Sequence, residues 1–280
     1  MPPLAVGCAQ WTHEAWRAYQ PDARRRLAAY AEYCTAVEGN TTFYATPGPD
    51  TVAAWTEQMP EGFRFLPKLP KAVTHDHRMR GGEAELDRFL AAMAPLGSRL
   101  HALWIQLPGS FGPGDLGALA GLLNRLTRRH PCAVEVRHPA FFADPAAAAR
   151  LEHILRRTGT EWIPFDTTTL FSAPASSAAE VEARSKKPRL PRRIEALTEF
   201  PIVRYHGRDD VDATVAGWQP WREIVGEWLR QGRSPTIFVH TPDNAGAPAL
   251  ARRFYREVRA DHPGLPDLPE PMHEGPMTLF

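Results

Sequence analysis

Side chains suited to acid–base chemistry stand at the ends of short apolar runs in this sequence. The segment VEGNTTFY places Glu38 and Asn40 directly after such a run, and the segment AVEVRH does the same with Glu135 and Arg137. Folding alone requires no carboxylate at these places, because burying a charge is costly unless it is paired. Carboxylates, guanidinium groups and imidazoles held together can transfer protons and bind anions. These residues are therefore candidates for a functional site.

Alternation along the predicted strands extends this set, because residues two apart in a strand share a face. In the fifth predicted strand Val134 and Val136 alternate with Glu135 and Arg137, which gives one apolar and one polar face. Each strand has an apolar face, and its other face becomes polar toward the C-terminal end. The residues expected to converge at that end are Gln10, Glu38, Asn40, Lys68, Gln106, Glu135, Arg137, Asp166, Arg204, His206 and His240.

The elements that must position these residues alternate along the chain. Short apolar runs predict strands over 4–9, 34–38, 63–67, 101–107, 132–136, 160–165, 201–205 and 235–239. Amphipathic patterns predict helices over 22–33, 49–58, 82–96, 114–129, 145–158, 219–231 and 244–260. The crossover over 167–200 is irregular, and no clean helix is predicted there.

Eight strands with helical crossovers predict an α/β fold, namely a single (β/α)8 TIM barrel. The 280 residues suit this fold, for which about 250 residues are typical. The barrel is predicted over residues 1–261, followed by a Pro-rich tail over 262–280 that is either an irregular strap or disordered. A doubly wound open sheet is the alternative. In a parallel barrel the C-terminal strand ends meet at one mouth, where active sites lie.

Composition narrows the class of protein. The net charge of +1 gives no global field for nucleic acid or membrane, and 43% hydrophobic with 23% charged residues is ordinary for globular proteins. The three cysteines, Cys8, Cys34 and Cys132, lack metal-ligand spacing and are predicted to be reduced core residues. The first residues show no secretion signal, and no apolar run could span a bilayer. We therefore predict a cytoplasmic protein.

Four separated segments, in order, resemble a known family. VEGNTTFY, FRFLPKLPKAVTH, AVEVRHPAFF and VRYHG are similar to segments of the YecE-like family of unknown function, domain of unknown function 72, from about residue 4 to residue 258. The resemblance implies a TIM-barrel fold and no settled activity. The positions that match the family's segments are Glu38, Asn40, Lys68, His75, Glu135, Arg137, His138, Arg204 and His206.

Two segments depart from the family pattern, and both lie at the predicted mouth. The family's opening G-T-S-G-W reads GCAQW here, which changes the stretch Cys8–Gln10. The final strand of the family leads into F-N-N-D, whereas FVHTPDN here places His240–Pro242 before Asp243 and Asn244. These departures predict an altered ligand preference.

The favoured interpretation is an enzyme of hydrolase or isomerase type that acts on an anionic, phosphate-bearing small molecule. Lys68, Arg137 and Arg204 would hold the anion. The candidate catalytic residues are Glu38, Glu135, Asp166, His206 and His240, with a glutamate as base and a histidine as acid. The candidate substrate-binding residues are Trp11, Asn40, Tyr44, Lys68, His75, Gln106, Arg137, His138, Arg204, Asp243 and Asn244.

A divalent metal is a second possibility. Glu135, Asp166, His206 and His240 come from the ends of consecutive predicted strands, and mixed carboxylate–imidazole sets bind zinc or manganese. The sequence lacks the HxH or HExxH spacing that would strengthen the prediction of a metal site. The arginines near these residues argue against a metal, because a nearby cation weakens metal binding. No cofactor is therefore predicted with certainty.

The third possibility is not an enzyme but a nucleic-acid-associated binding protein. A metal-dependent phosphodiesterase that uses the basic loop 184–193 is a further alternative. The segment RSKKPRLPRR carries six basic residues beside the predicted mouth: Arg184, Lys186, Lys187, Arg189, Arg192 and Arg193. A basic loop beside a cleft could follow a phosphate backbone. A run of charges is more often a solvated surface loop. No membrane partner is predicted.

Overall fold

The computed structural model describes residues 3–17, 20 and 22–271. Its strands are β1 (Ala5–Cys8), β2 (Ala36–Gly39), β3 (Arg64–Pro67), β4 (Leu103–Gln106), β5 (Cys132–Glu135), β6 (Glu161–Trp162), β7 (Phe165–Asp166), β8 (Ile202–His206) and β9 (Thr236–His240). Its α-helices are α1 (Arg26–Ala31), α2 (Thr41–Tyr44), α3 (Pro49–Gln58), α4 (Glu83–Met93), α5 (Leu116–Leu126), α6 (Ala140–Ala143), α7 (Pro145–Arg157), α8 (Ala178–Lys186), α9 (Val211–Arg230) and α10 (Ala247–Asp261).

The helices begin where local sequence signals favour a start. The helix α7 begins with Pro145 after Asp144, whose carboxylate accepts a hydrogen bond from the amide of Ala146 at 2.9 Å. The helix α8 lies in the crossover for which no clean helix is predicted, so that prediction is wrong. Its N-terminal residue is capped by Ser177, which accepts from the amide of Glu180 at 3.0 Å.

The strands pair in parallel in two separate sheets. Six strands follow the order β3-β2-β1-β9-β8-β7, and three strands follow the order β4-β5-β6. The prediction of a closed eight-stranded barrel is therefore wrong, because the described residues do not form one continuous ladder. They form a mostly parallel α/β fold in which the backbone pairing between the β3 and β4 regions is limited to isolated bridges, Phe65 with Leu100 and Lys68 with Trp104.

Prolines explain both interruptions of the ladder. Pro67 ends β3 and has no amide hydrogen to donate, so pairing to β4 is reduced to single bridges. Pro164 stands between β6 and β7 and divides one predicted strand, 160–165, into two. The first part pairs with β5 and the second with β8. The strands on either side of each proline belong to different sheets.

Two apolar cores lie on opposite faces of these strands. The larger core joins the helices to one strand face. The smaller, which we name the inner core, contains Ala5, Ala36, Leu66, Ala102, Trp104, Ala133, Ile163, Ile202 and Phe238. Residues of both sheets contribute to the inner core, so the sheets share it. The three cysteines are buried thiols.

The described part of the tail, residues 262–271, contains no helix or strand and lies against α10. The hydroxyl of Tyr255 donates to the carbonyl of Pro266 at 2.8 Å, and the guanidinium of Arg252 donates to the carbonyl of Pro269 at 2.9 Å. The predicted tail beyond residue 271 lies outside the described residues. Within the described residues, every helix is too short or too polar to traverse a bilayer.

Candidate functional site

Polar side chains from both sheets gather around the guanidinium group of Arg204. Its Nε donates to Glu38 Oε1 at 3.0 Å, and its Nη1 donates to Glu135 Oε2 at 3.2 Å. Glu38 lies on β2 of the larger sheet and Glu135 on β5 of the smaller sheet, so Arg204 joins the two sheets electrostatically. The residues that meet here are named the central cluster: Glu38, Lys68, Gln106, Glu135, Arg137, Arg204, His206 and His240.

Lys68 enters the central cluster directly after β3. Its Nζ lies 3.3 Å from Glu38 Oε2 and donates to Gln106 Oε1 at 2.9 Å. The ammonium group also lies 4.9 Å from the centre of the Trp104 ring, a distance suited to a cation–π contact. Burial and the neighbouring Arg204 lower the pKa of Lys68 to about 8. The amine is therefore charged at neutral pH but loses its proton far more readily than a solvated lysine.

The two histidines of the central cluster are buried side by side, with ring centroids 5.6 Å apart. His240 Nε2 lies 2.5 Å from Glu38 Oε1, and because an ionised carboxylate only accepts, this nitrogen carries the proton. Burial lowers the pKa of His240 to about 4, and the nearby Arg204 adds to this effect. Burial also holds the pKa of His206 well below its ordinary value, helped by His240 and Lys187. Both imidazoles are thus neutral at pH 7.

Both glutamates of the central cluster are ionised. Glu135 Oε1 accepts from Arg137 Nε at 2.8 Å in addition to its contact with Arg204. Burial opposes the ionised form, but Arg137 and Arg204 outweigh it and lower the pKa of Glu135. Burial is likewise outweighed at Glu38, where Arg204, His240 and Lys68 hold the pKa well below the ordinary value.

Aromatic rings cover the cations from the inner core. The Arg204 guanidinium lies 4.8 Å from the Phe165 ring centre and 5.7 Å from that of Trp104. Arg137 lies 5.1 Å from the same Phe165 ring. These rings are contacts that the sequence interpretation missed. The sequence could have indicated the Trp104 contact, because Trp104 lies two residues before Gln106 and therefore on the same strand face.

Asp166 does not join the central cluster, contrary to the sequence prediction. On β7, Phe165 pairs in register with Arg204 and shares its face, so Asp166 lies on the opposite face with Tyr205. The Asp166 carboxylate accepts from Arg192 Nε at 2.7 Å and from Trp221 Nε1 at 2.6 Å. The predicted strand 160–165 carries large apolar residues on both faces, with Trp162 opposite Ile163 and Phe165, so alternation alone did not say which face turns inward.

The predicted metal ligands do not form a metal site. Asp166 faces away from His206 and His240, and both oxygens of Glu135 are bound by arginines. In residues 3–17, 20 and 22–271 no three His, Cys, Asp or Glu side chains come close enough to hold an ion. The residues present therefore do not fit the metal interpretation.

Several predicted binding residues lie around the central cluster and not in it. Trp11 packs on Trp55, with ring centroids 5.3 Å apart, and is a partly buried residue against the larger core. Tyr44 is 81% exposed. The ring of His75 packs against Phe43 at 5.1 Å, and burial and the nearby Arg137 lower its pKa.

The other peripheral candidates fix loops. His138 Nδ1 accepts from the amide of Ala140 at 3.1 Å at the start of α6. The Asn40 side-chain amide donates to the Ala9 carbonyl. Asp243 and Asn244 form the turn after β9, where Asn244 Oδ1 accepts from the Thr241 amide at 3.3 Å. Gln10, also expected to converge, lines a separate surface cavity with Thr12 and Glu14.

The basic segment is divided among different contacts. Arg184 donates to the carbonyl of Leu170 at 2.6 Å, Arg192 binds Asp166, and Arg193 lies 4.4 Å from the Trp162 ring centre. Lys186 pairs with Glu182 on the surface of α8, and Arg189 is exposed. These residues do not form one continuous basic stripe. A nucleic-acid partner stays a prediction.

The sequence profile of the family described as protein of unknown function DUF72 matches residues 5–274. The chain belongs to the DUF72 family. The resemblance found in the sequence motifs is thereby confirmed. Consistent with DUF72 membership, the UPF0759 protein YecE of Escherichia coli K12 is 34% identical over 266 residues, which covers 95% of this chain and 96% of that protein.

More distant relatives extend the comparison. The UPF0759 protein YunF of Bacillus subtilis 168 is 22% identical over 276 residues, covering 88% of this chain and 90% of that protein. The crystal structure of a DUF72 family protein from Enterococcus faecalis V583 matches with a TM-score of 0.67 at 17% identity, covering 94% of this chain and 98% of that one. This structural match shows a shared DUF72 fold. The activity, the ligand and the cellular location stay predictions.

Proposed function

We propose that the central cluster binds an anionic small molecule that carries a phosphate or carboxylate group, and that acid–base or hydrolytic chemistry follows. The excess of positive charge supports this proposal. In the central cluster the three cations Lys68, Arg137 and Arg204 stand against the two carboxylates Glu38 and Glu135. Lys187, which interacts electrostatically with Arg204 and Arg137, adds a further positive charge nearby. Because the imidazoles are neutral, the balance is positive at pH 7. An excess of positive charge among buried side chains is costly in free energy unless a counter-ion is present. A ligand anion would be that counter-ion.

Arginine supplies the directional part of this recognition. A guanidinium group offers several N–H donors in a plane, a geometry that matches the oxygens of phosphate and carboxylate. Arg137 uses Nε and Nη2 on Glu135, at 2.8 and 2.7 Å, and its side chain is 20% exposed. Its remaining donors are therefore available to a ligand that approaches from solvent.

The acid–base role in this proposal goes to Lys68. An acid must hold a proton at neutral pH and release it readily, and an amine with a pKa of about 8 meets both requirements. The imidazoles of His206 and His240 are neutral at pH 7 and their lowered pKa makes them weak bases, so they serve better as hydrogen-bond partners. Glu38, which contacts Lys68 and His240, would position both groups.

Anion binding is testable with inorganic phosphate and a phosphate monoester, measured by calorimetry and by thermal unfolding. We expect both to bind and to raise the melting temperature, because a ligand present at 100 times its Kd stabilises a protein by about 2.7 kcal/mol. Glycerol at the same concentration is the uncharged control. In Arg137→Gln we expect the affinity to fall by roughly tenfold or more, since a charge-assisted hydrogen bond is lost.

Arg150→Gln is the matched control, because Arg150 is an exposed arginine on α7 and is not a member of the central cluster. It removes the same charge and should leave the affinity unchanged. Equal weakening by the two variants would mean that only net charge matters. Absence of binding by the unmodified protein to phosphate, phosphate ester and carboxylate would remove the proposal.

A further inference from the structure

Lys187 differs from the other cations near the central cluster because no carboxylate of the described residues forms a direct ion pair with it. Within the part of the chain that the structure describes, it makes no hydrogen bond and no ion pair, and its side chain is half-buried. We propose that Lys187 is the residue that captures the ligand's anionic group, held in place over the cluster by the segment 187–192. This inference rests on the proposed function and assigns the capture step to one side chain.

The backbone beside Lys187 is anchored to the end of β7. The hydroxyl of Thr167 donates to the carbonyl of Pro188 at 2.9 Å and accepts from the amide of Leu190 at 3.4 Å. Thr167 follows the strand whose Phe165 packs against Arg204. The segment is therefore fixed next to the central cluster.

A second anchor lies at the other end of the segment. Arg192 donates to Asp166 at 2.7 Å, and the same carboxylate oxygen accepts from Trp221 on α9 at 2.6 Å. Asp166 also accepts from the amide and the hydroxyl of Thr168 at 2.9 and 2.6 Å. The buried carboxylate thus fastens the segment to the body of the protein. This gives Asp166 a positioning role.

The helix before Lys187 is fixed as well. Glu180 on α8 is fully buried and accepts from Arg208 at 3.0 and 2.9 Å. Its oxygens also accept from the amides of Ser176 and Asp209. Because α8 ends at Lys186, this network determines where Lys187 lies. A lysine on a fixed backbone loses less entropy on binding than one on a mobile loop.

The charges around Lys187 favour an anion between it and the cluster. Arg204 and Arg137 in the cluster repel it, Lys186 at the end of α8 repels it as well, and Glu182 on α8 attracts it. Burial, together with these cations, lowers the pKa of Lys187 to about 8. Its charge in turn lowers the pKa of both His206 and His240, which places it on their side of the protein.

Lys186 provides a matched control one residue away. It is exposed and pairs with Glu182 on the surface of α8. Substituting Lys186→Ala or Lys187→Ala removes the same charge from the same place in the sequence. Only the second substitution removes a cation that acts on the cluster.

The test is calorimetric titration with inorganic phosphate and a phosphate monoester of the unmodified protein, Lys187→Ala, Lys186→Ala and Lys187→Arg. We expect Lys187→Ala to weaken binding by roughly tenfold or more. Lys186→Ala should leave affinity unchanged, and Lys187→Arg should keep most of it because the charge remains. Isotope-labelled lysine gives an independent readout by NMR, since the chain contains four lysines, and the Lys187 signal should shift on addition of phosphate.

The outcomes separate this inference from the proposed function. If the unmodified protein binds phosphate and Lys187→Ala binds equally well, the inference is overturned and the proposed function stands. Equal losses in both alanine variants would also overturn it, because the effect would then be general charge. If the unmodified protein binds no anion, both fail. Binding only to single-stranded oligonucleotides, weakened by Arg189→Ala, would replace the small-molecule ligand by a nucleic acid and overturn the inference.

Discussion

At the residue scale, two lysines near the central cluster have pKa values that lie unusually close to neutral pH. Two of the four lysines in the sequence, Lys68 and Lys187, lie here, and the pKa of each is lowered to about 8. The physical cause is the same in both, since burial and neighbouring arginines disfavour the ammonium form. Lys68 is bound by Glu38 and Gln106, whereas Lys187 is not paired within the described residues.

The protonation of Lys68 can be measured directly by NMR on protein that contains isotope-labelled lysine. We expect its side-chain signal to titrate with a midpoint near pH 8, because burial beside Arg204 lowers its pKa to about 8. A solvated lysine titrates near pH ~10.4. Each of the single variants Lys71→Arg, Lys186→Arg and Lys187→Arg removes one lysine signal from the spectrum. The signal that is present in all three variants therefore belongs to Lys68. A midpoint at the ordinary value would remove Lys68 from the acid–base role.

At the element scale, α8 and the segment after it position the proposed capture residue. The buried pair between Glu180 and Arg208 joins α8 to the loop after β8. The hydrogen bond from Arg208 lowers the pKa of Glu180 to about 2. Because the pKa in the folded state lies below the ordinary 4.5, the pair contributes stability above about pH 4.5 that is lost as the pH falls toward 2.

Glu180→Gln tests this anchor. At neutral pH we expect a loss of about 3 kcal/mol in the free energy of unfolding, because Arg208 would remain buried without its partner. The difference from the unmodified protein should shrink as the pH falls from 4.5 toward 2, since the native carboxylate then also becomes protonated. Urea unfolding at a series of pH values measures both effects.

Glu182→Gln is the control on the same helix. Glu182 is exposed and pairs with Lys186 at the surface, where ion pairs contribute little. We expect little change in stability for this variant at any pH. A pH-independent difference for Glu180→Gln, or equal effects of the two substitutions, would contradict the anchoring role of Glu180.

At the scale of the whole molecule, the six-stranded sheet depends on close approach between its central strands. Gly7 lies on β1 between β2 and β9, in register with Ala36 and Phe238. A Cβ atom at this position would lie 2.0 Å from the carbonyl oxygen of Ala36. The Ala36 carbonyl is a backbone atom, so it could move away from the Cβ only if the two strands separated. The spacing of the central strands therefore requires glycine here.

Gly7→Ala should therefore destabilise the whole fold. We expect the free energy of unfolding to fall by about 3 kcal/mol or more, because β1 and β2 must separate to accommodate the methyl group. The urea midpoint measures this loss. Gly109→Ala is the control, because a Cβ there meets no atom within 4 Å, and it should change stability by less than about 0.5 kcal/mol. Equal midpoints for the two variants would mean that the strands can shift freely.

Local pattern was sufficient for much of this protein. Alternation predicted most of the strands and brought Glu38, Glu135 and Arg204 to one place, because side-chain direction in a strand has a fixed period of two. The four motifs identified the DUF72 family. These features are encoded over short stretches, so the sequence by itself determined them.

Tertiary structure decided the rest. The division into two sheets depends on which partners Pro67 and Pro164 leave unpaired, and the direction of Asp166 depends on the register in which β7 pairs with β8. The position of Lys187 depends on hydrogen bonds of the adjacent Pro188 and Leu190 with Thr167, which lies 21 and 23 residues before them in the sequence. Each outcome is set by pairing between distant segments, and the free energy of such pairing is not encoded in either segment alone.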